Sequence, residues 1–157
     1  MSVFVTPDGL KLHYQTAGSG KSLLFLHGWS MCSRVWRYQV EWFASTYQVI
    51  TLDLRGHGNS GSINGTCNFT SLAQDIAYFV EGLHLRQLTL VGWSLSVSLI
   101  LKLLNAHILP VDSLVLIDGT PCFVSREDFP HGLPHAVVQR MIKRAGSNFT
   151  RALGEFH

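Results

Sequence analysis

The chain is short of charge and of cysteine, and each shortage excludes something. Charged residues make up only 14% of its 157 residues, and 12 lysines and arginines against 10 aspartates and glutamates leave a net charge of +2. That balance supplies no basic field for nucleic acid and no attraction to an acidic membrane surface, so neither partner is expected. Cys32, Cys67 and Cys122 are odd in number, widely spaced and lack a Cys-x-x-Cys pair. They argue against a disulfide framework and for reduced thiols, hence a cytoplasmic location. No basic stretch leading into an apolar core opens the sequence, so no secretory signal is expected. The glycosylation sequons at Asn64, Asn68 and Asn148 are then chance matches. The most apolar window, residues 88–104, is broken by Gly92, three serines and Lys102, and reads as a buried strand and helix rather than a membrane span. There is no internal repeat and no low-complexity tract.

What is present suits a globular core, with 46% hydrophobic residues. Residues 3–5 and 11–15 are short strand candidates joined by Thr6-Pro-Asp-Gly9, a turn with proline second and glycine fourth. Residues 22–26 and 48–54 are apolar without alternation, as in strands covered on both faces. Apolar spacing predicts helices over residues 35–45 and again behind Ser71-Leu-Ala-Gln74, which reads as a capping-box start. A strand at 88–91, a helix at 95–107 and a strand at 113–117 follow, and then two helices near 134–145 and 148–156. Strands alternating with helices predict an α/β fold, a mostly parallel sheet with helices on both faces.

The chemistry concentrates at Gly92-Trp93-Ser94-Leu95, where a run of β-formers turns sharply into an apolar helix. A strand–serine–helix turn lifts a hydroxyl clear of a sheet. Serine attacks a carbonyl only when a histidine takes its proton and a carboxylate orients that histidine, and backbone N–H groups must receive the oxyanion. Leu95 N–H and Trp29 N–H, from the His27-Gly28-Trp29 loop after an earlier strand, are the candidate donors. Trp29 and Trp93 flank this point as candidate lining for an acyl group. The elbow motif calls for glycine two residues after the nucleophile, and Ser96 stands there. Its hydroxymethyl group is expected to cost on the order of 1–3 kcal/mol through overpacking or strain.

Taken together, His27-Gly28-Trp29, Asp53-Leu-Arg-Gly-His-Gly-Asn-Ser60 and Gly92-Trp93-Ser94-Leu95 resemble the signatures of the α/β-hydrolase family, in that family's order and spacing. The resemblance covers residues 3–121 and is nearer still to the pimeloyl-[acyl-carrier-protein] methyl ester esterases of biotin synthesis. Thr120-Pro-Cys-Phe-Val-Ser-Arg-Glu-Asp-Phe-Pro130 is similar to that family's entry into its helical cap. It implies a serine carboxylic-ester hydrolase without metal or cofactor, acting on a small or medium acyl ester, such as a methyl ester carried on an acyl carrier protein. It also implies residues 1–121 as the N-terminal part of the hydrolase core and residues 122–157 as the start of an incomplete cap. Arg151 falls where the cap presents a basic residue to the carrier, while Glu155 stands where the next one belongs.

In this family the acid and histidine follow later strands, so a chain ending within the cap is expected to lack both and to be nearly inert alone. The missing groups would come from a longer chain or from a complementary C-terminal polypeptide. His27 and His57 belong to loop motifs, His84 and His107 to helix ends, and His131, His135 and His157 to the cap region, so none is a good substitute. Asp118 follows the strand after which some members place their acid. Asp53 is expected to turn the loop of residues 55–60. A second class stays open: a non-catalytic remnant or interaction module on the same fold. So does a third reading, acyl transfer or C–C bond hydrolysis.

Overall fold

The computed structural model describes residues 1–61, 67–106, 109 and 111–156, and nothing is described of the side chains of residues 155 and 156. The sequon at Asn64 and the imidazoles of His107 and His157 lie outside the described residues. The chain divides into two compact units, Met1–Gly119 and Thr120–His157.

The first unit holds a six-stranded sheet. Its strands are β1 (Ser2–Val5), β2 (Lys11–Ala17), β3 (Ser22–Leu26), β4 (Gln48–Leu52), β5 (Thr89–Trp93) and β6 (Ser113–Ile117). They run in the order β1-β2-β4-β3-β5-β6. β1 and β2 form an antiparallel hairpin across the Thr6 turn, where Gly9 N–H donates to Thr6 O at 2.9 Å. β2 joins β4 antiparallel, and β4, β3, β5 and β6 are mutually parallel.

Three helices cover this sheet: α1 (Arg37–Phe43), entered through a 3₁₀ turn at Ser33–Trp36, α2 (Phe69–Gly82) and α3 (Leu95–Asn105). All five residues of β3 are buried because side chains alternate between two covered faces. Leu24 and Leu26 join Leu72, Ile76 and Phe79 of α2 and Leu99, Ile100 and Leu103 of α3 in the larger core. Leu23 and Phe25 turn the other way and pack with Trp36, Val49 and Val91. β6 differs: all five of its residues are exposed, and among the described residues it pairs only with β5.

The start of α2 differs from the expected one. Its N-cap is Asn68, three residues before the expected start, because the Asn68 carboxamide oxygen accepts N–H bonds from Thr70 at 3.0 Å and Ser71 at 2.9 Å. Ser71 is the other half of the box, its Oγ accepting from Asn68 N–H at 3.1 Å. In the second unit, Val124 and Leu133 bridge an irregular stretch that leads into α4 (His135–Ser147) and α5 (Phe149–Phe156). Among the described residues no helix is long and apolar enough to cross a membrane. The three cysteines form no disulfide.

Candidate active site

Ser94 sits between β5 and α3 with φ 53° and ψ −111°, a backbone conformation that L-residues rarely adopt. Holding it there costs on the order of 1–3 kcal/mol, so the surroundings must over-determine it. They do so on both sides of the residue. Ser94 N–H donates to Ile117 O at the end of β6 at 2.9 Å, and Ser94 O accepts from Val97 N–H at 3.0 Å. Gly92 allows the tight passage, since a Cβ there would stand 2.5 Å from Ile100 Cδ1 and 3.2 Å from the Ser96 backbone. The result is a half-buried serine at the apex of a strand-to-helix turn.

The His27-Gly28-Trp29 loop passes directly beside it. A Cβ built on Gly28 would lie 3.2 Å from Ser94 Cβ and 3.5 Å from the Trp93 ring. The Trp29 N–H, one residue on, is therefore carried on backbone that passes close to the serine, and Leu95 opens α3 directly after Ser94. Trp93 packs edge-on against Trp36, with ring centroids 6.4 Å apart, so its indole serves the smaller core as well as the elbow. Trp29 is half-buried.

His27 is fully buried and fully engaged. Its Nδ1–H donates to Gly28 O at 2.7 Å, and its Nε2 accepts Leu54 N–H at 3.0 Å. Burial pushes its pKa down to about 4, with the neighbouring His57 adding to the effect. A neutral imidazole with both nitrogens committed to backbone has no lone pair to offer Ser94. His57 Nδ1–H donates to Arg55 O at 2.9 Å, and its ring lies 5.2 Å from that of His27. Among the described residues no imidazole is hydrogen-bonded to Ser94 Oγ. Asp118 comes directly after Ile117, with φ 44° and an exposed side chain.

Asp53 holds the neighbouring loops. Its Oδ1 accepts Ser33 N–H at 2.7 Å and its Oδ2 accepts Asn59 N–H at 2.8 Å. Burial pushes this carboxyl up, but those N–H donors outweigh it and hold it below the usual carboxylate range. Ser60 completes the arrangement, its Oγ donating to Asp53 O at 2.7 Å and accepting His13 N–H at 2.8 Å.

Two features were not foreseen. Ser96 is fully buried, yet its hydroxyl is satisfied: Oγ donates to His27 O at 2.6 Å. The expected cost of the hydroxymethyl group is therefore set against a buried hydrogen bond. Arg55 forms a two-point ion pair with Asp75 of α2, Nε to Oδ2 and a terminal nitrogen to Oδ1, both at 2.7 Å. The same terminal nitrogen reaches Asp8 at 2.9 Å.

In the second unit Arg140, Lys143 and Arg144 of α4 and Arg151 of α5 are exposed, and Asn148 Oδ1 accepts the Arg151 N–H at 2.9 Å. Among the described residues no cluster of histidine, cysteine and carboxylate side chains is arranged to hold a metal.

The chain is similar to several known proteins. The chain is 33% identical over 145 residues to a pimeloyl-[acyl-carrier protein] methyl ester esterase of Nitrosomonas europaea, covering 92% of this chain and 56% of the relative. It is 29% identical over 144 residues to a non-heme chloroperoxidase of Kitasatospora aureofaciens, covering 90% of this chain and 52% of that protein. Among solved structures, an esterase from Exiguobacterium antarcticum superposes with a TM-score of 0.90 at 29% identity, over 99% of this chain and 59% of the other. The chain thus spans about half the length of the curated relatives it matches. The family model described as alpha/beta hydrolase fold matches residues 21–137, three-quarters of the chain by length, and the chain belongs to the α/β-hydrolase family.

Proposed function

We propose that Ser94 is the nucleophile of a serine carboxylic-ester hydrolase acting on a small or medium acyl ester, with a methyl ester on an acyl carrier protein as the favoured substrate. The observation that carries this reading is the backbone of Ser94, held at φ 53° and ψ −111° beside the Gly28 backbone. A strained conformation maintained at the tip of a strand-to-helix turn serves to present a side chain, and here the side chain is a hydroxyl. Ser94 Oγ would add to the ester carbonyl, and the N–H groups of Leu95 and Trp29 would receive the oxyanion. Methanol would leave with a proton, and water would release the acid from the acyl-serine.

This reaction needs a base. We place the histidine and its acid in the portion of the relatives that lies beyond the matched half, supplied in the same polypeptide or by a complementary C-terminal one. Asp118, beside the elbow, is the acid candidate within this chain. Without a histidine, only a roughly thousand- to ten-thousand-fold advantage over water is expected to survive, from oxyanion stabilisation and binding. The acyl-carrier part of the reading rests on the methyl ester esterase relative and on the exposed basic residues of α4 and α5. Trp29 and Trp93 are proposed to contact the acyl group, and Arg151 the carrier.

The test combines this chain with the C-terminal portion of the Nitrosomonas relative and follows p-nitrophenyl ester hydrolysis. Hydrolysis that appears on mixing and disappears with Ser94→Ala is expected, and none on mixing would overturn the proposal. A non-catalytic interaction module, the second reading, is favoured by the commitment of both His27 nitrogens to backbone. A fluorophosphonate probe separates the two, because Ser94-dependent labelling counts against an inert module.

A further inference from the structure

Resting on the assignment of Ser94 as nucleophile, we infer that Ser96 is a positioning residue that fastens the oxyanion loop to the elbow carrying that nucleophile. Ser96 lies two residues past Ser94 in the first turn of α3, fully buried, and its Oγ donates to the carbonyl of His27 at 2.6 Å, across 69 residues of sequence. That carbonyl belongs to the first residue of the loop whose glycine backbone stands against Ser94 Cβ.

The next carbonyl is held as well. Gly28 O accepts the His27 Nδ1–H at 2.7 Å, while Leu54 N–H fixes the far side of the same ring at 3.0 Å. In a planar trans peptide the N–H points opposite to the carbonyl, so fixing a carbonyl fixes the next N–H. Ser96 therefore sets the direction of the Gly28 N–H, and the His27 ring sets that of the Trp29 N–H. The two restraints act in series along one short segment. With glycine at position 96 the loop would keep the ring, the Met31 N–H that donates to Gly28 O at 3.3 Å and the β3–β5 pairing of Leu26 with Gly92, but would lose this bond to the helix that follows Ser94. The Ser96 hydroxyl ties the loop to the nucleophile's own helix, so one hydrogen bond runs directly from that helix to the segment carrying the Trp29 donor.

That distance governs rate. An oxyanion donor works when held about 2.7–3.1 Å from the developing charge, and a displacement of about 1 Å costs on the order of 100-fold. Removing the Ser96 hydroxyl should loosen the loop without disturbing what binds the acyl group.

The experiment compares the wild-type chain with Ser96→Ala, which deletes the hydroxyl and adds no bulk. In the ¹⁵N-labelled protein the Gly28 and Trp29 amide resonances should shift and broaden, with amide exchange at both faster by about tenfold. The amides of Leu72 and Ile76 in α2 should stay in place. Unmoved Gly28 and Trp29 amides would overturn the inference. In the second arm, with the chain complemented by the C-terminal portion of the Nitrosomonas relative, fluorophosphonate labelling of Ser94 should lose about 10- to 100-fold in maximal rate with the half-saturating probe concentration unchanged. Shifted amides with an unchanged maximal rate would overturn the positioning role. If the complemented wild-type protein takes no label, the nucleophile assignment fails, and the amide comparison still decides whether Ser96 holds the loop.

Discussion

At His27 one residue joins its own loop, the segment after β4 and α3, and the chemistry of its ring makes that junction sensitive to acid. The imidazole is neutral because both nitrogens serve backbone groups and because burial lowers its pKa from 6.5 to about 4. The unfolded chain takes up a proton near pH 6.5, whereas the folded chain resists until about pH 4. Stability from this group is therefore fully present above pH 6.5 and is lost as pH falls toward 4, by on the order of 3 kcal/mol. Urea denaturation at pH 7.5, 6 and 4.5 should show a steady fall in midpoint. His27→Gln should be weaker at pH 7.5 and flatter across the window. A wild-type midpoint that stays level from pH 6.5 to 4.5 would sink the assignment. Gly28 is the other residue whose chemistry is dictated by a neighbour. A Cβ there would press on Ser94 Cβ at 3.2 Å, so one of the two backbones must give by a few tenths of an ångström. Gly28→Ala should cut Ser94-dependent probe labelling of the complemented chain at least tenfold while leaving the chain folded by circular dichroism. Labelling at the wild-type rate would show that the close approach has no catalytic consequence.

At the scale of elements, β3 and β6 were legible to the residue, because unbroken apolar runs bounded by polar or turn residues have one reading in an alternating α/β pattern. The start of α2 was misread for a physical reason: Ser71 does belong to a capping box, but as its second half. Asn68 is the better acceptor for two N–H groups, and nothing local reveals which polar residue leads. Asn68→Ala should therefore cost about 1 kcal/mol in thermal unfolding, and Ser71→Ala less. Partners distant in sequence were illegible altogether. Ser96 and His27 are 69 residues apart, and Arg55 and Asp75 are 20 apart, so neither pair leaves a spacing signal. The Arg55–Asp75 pair is buried on both sides, 3% exposed each, and it ties the loop after β4 to α2. Breaking one partner of such a pair leaves an uncompensated charge in the interior. Asp75→Ala is expected to lose about 3–5 kcal/mol in urea denaturation. An effect below about 1 kcal/mol would mean that Asp8 alone satisfies the guanidinium.

Within the first unit the central strands β3, β4 and β5 are largely buried, whereas β6 at one edge of the sheet is exposed along its whole length. Its sequence, Ser-Leu-Val-Leu-Ile, has the composition of a strand covered on both faces, yet Leu114, Val115, Leu116 and Ile117 are 37–45% exposed. Val115 and Ile117 lie on one face, Leu114 and Leu116 on the other, so neither orientation hides the apolar set. The outer edge carries none of the devices that blunt natural edges, such as a lysine, a proline or a bulge within the strand. Among the described residues no strand pairs with that outer edge, and an apolar strand with an open row of N–H and C=O groups is a template for another strand. The chain should therefore associate as its concentration rises. Sedimentation velocity across a hundredfold concentration range should show a growing population heavier than 17.5 kDa. Leu116→Lys, which places a charge on the exposed strand and leaves the pairing of Gly92 with position 116 available, should shift association to higher concentration. The same substitution should leave the urea midpoint within about 0.5 kcal/mol, since the side chain is already partly in water. A wild-type chain that sediments as a monomer throughout would mean that β6 is protected by something its composition does not reveal. Association unaffected by Leu116→Lys would place the contact on another surface.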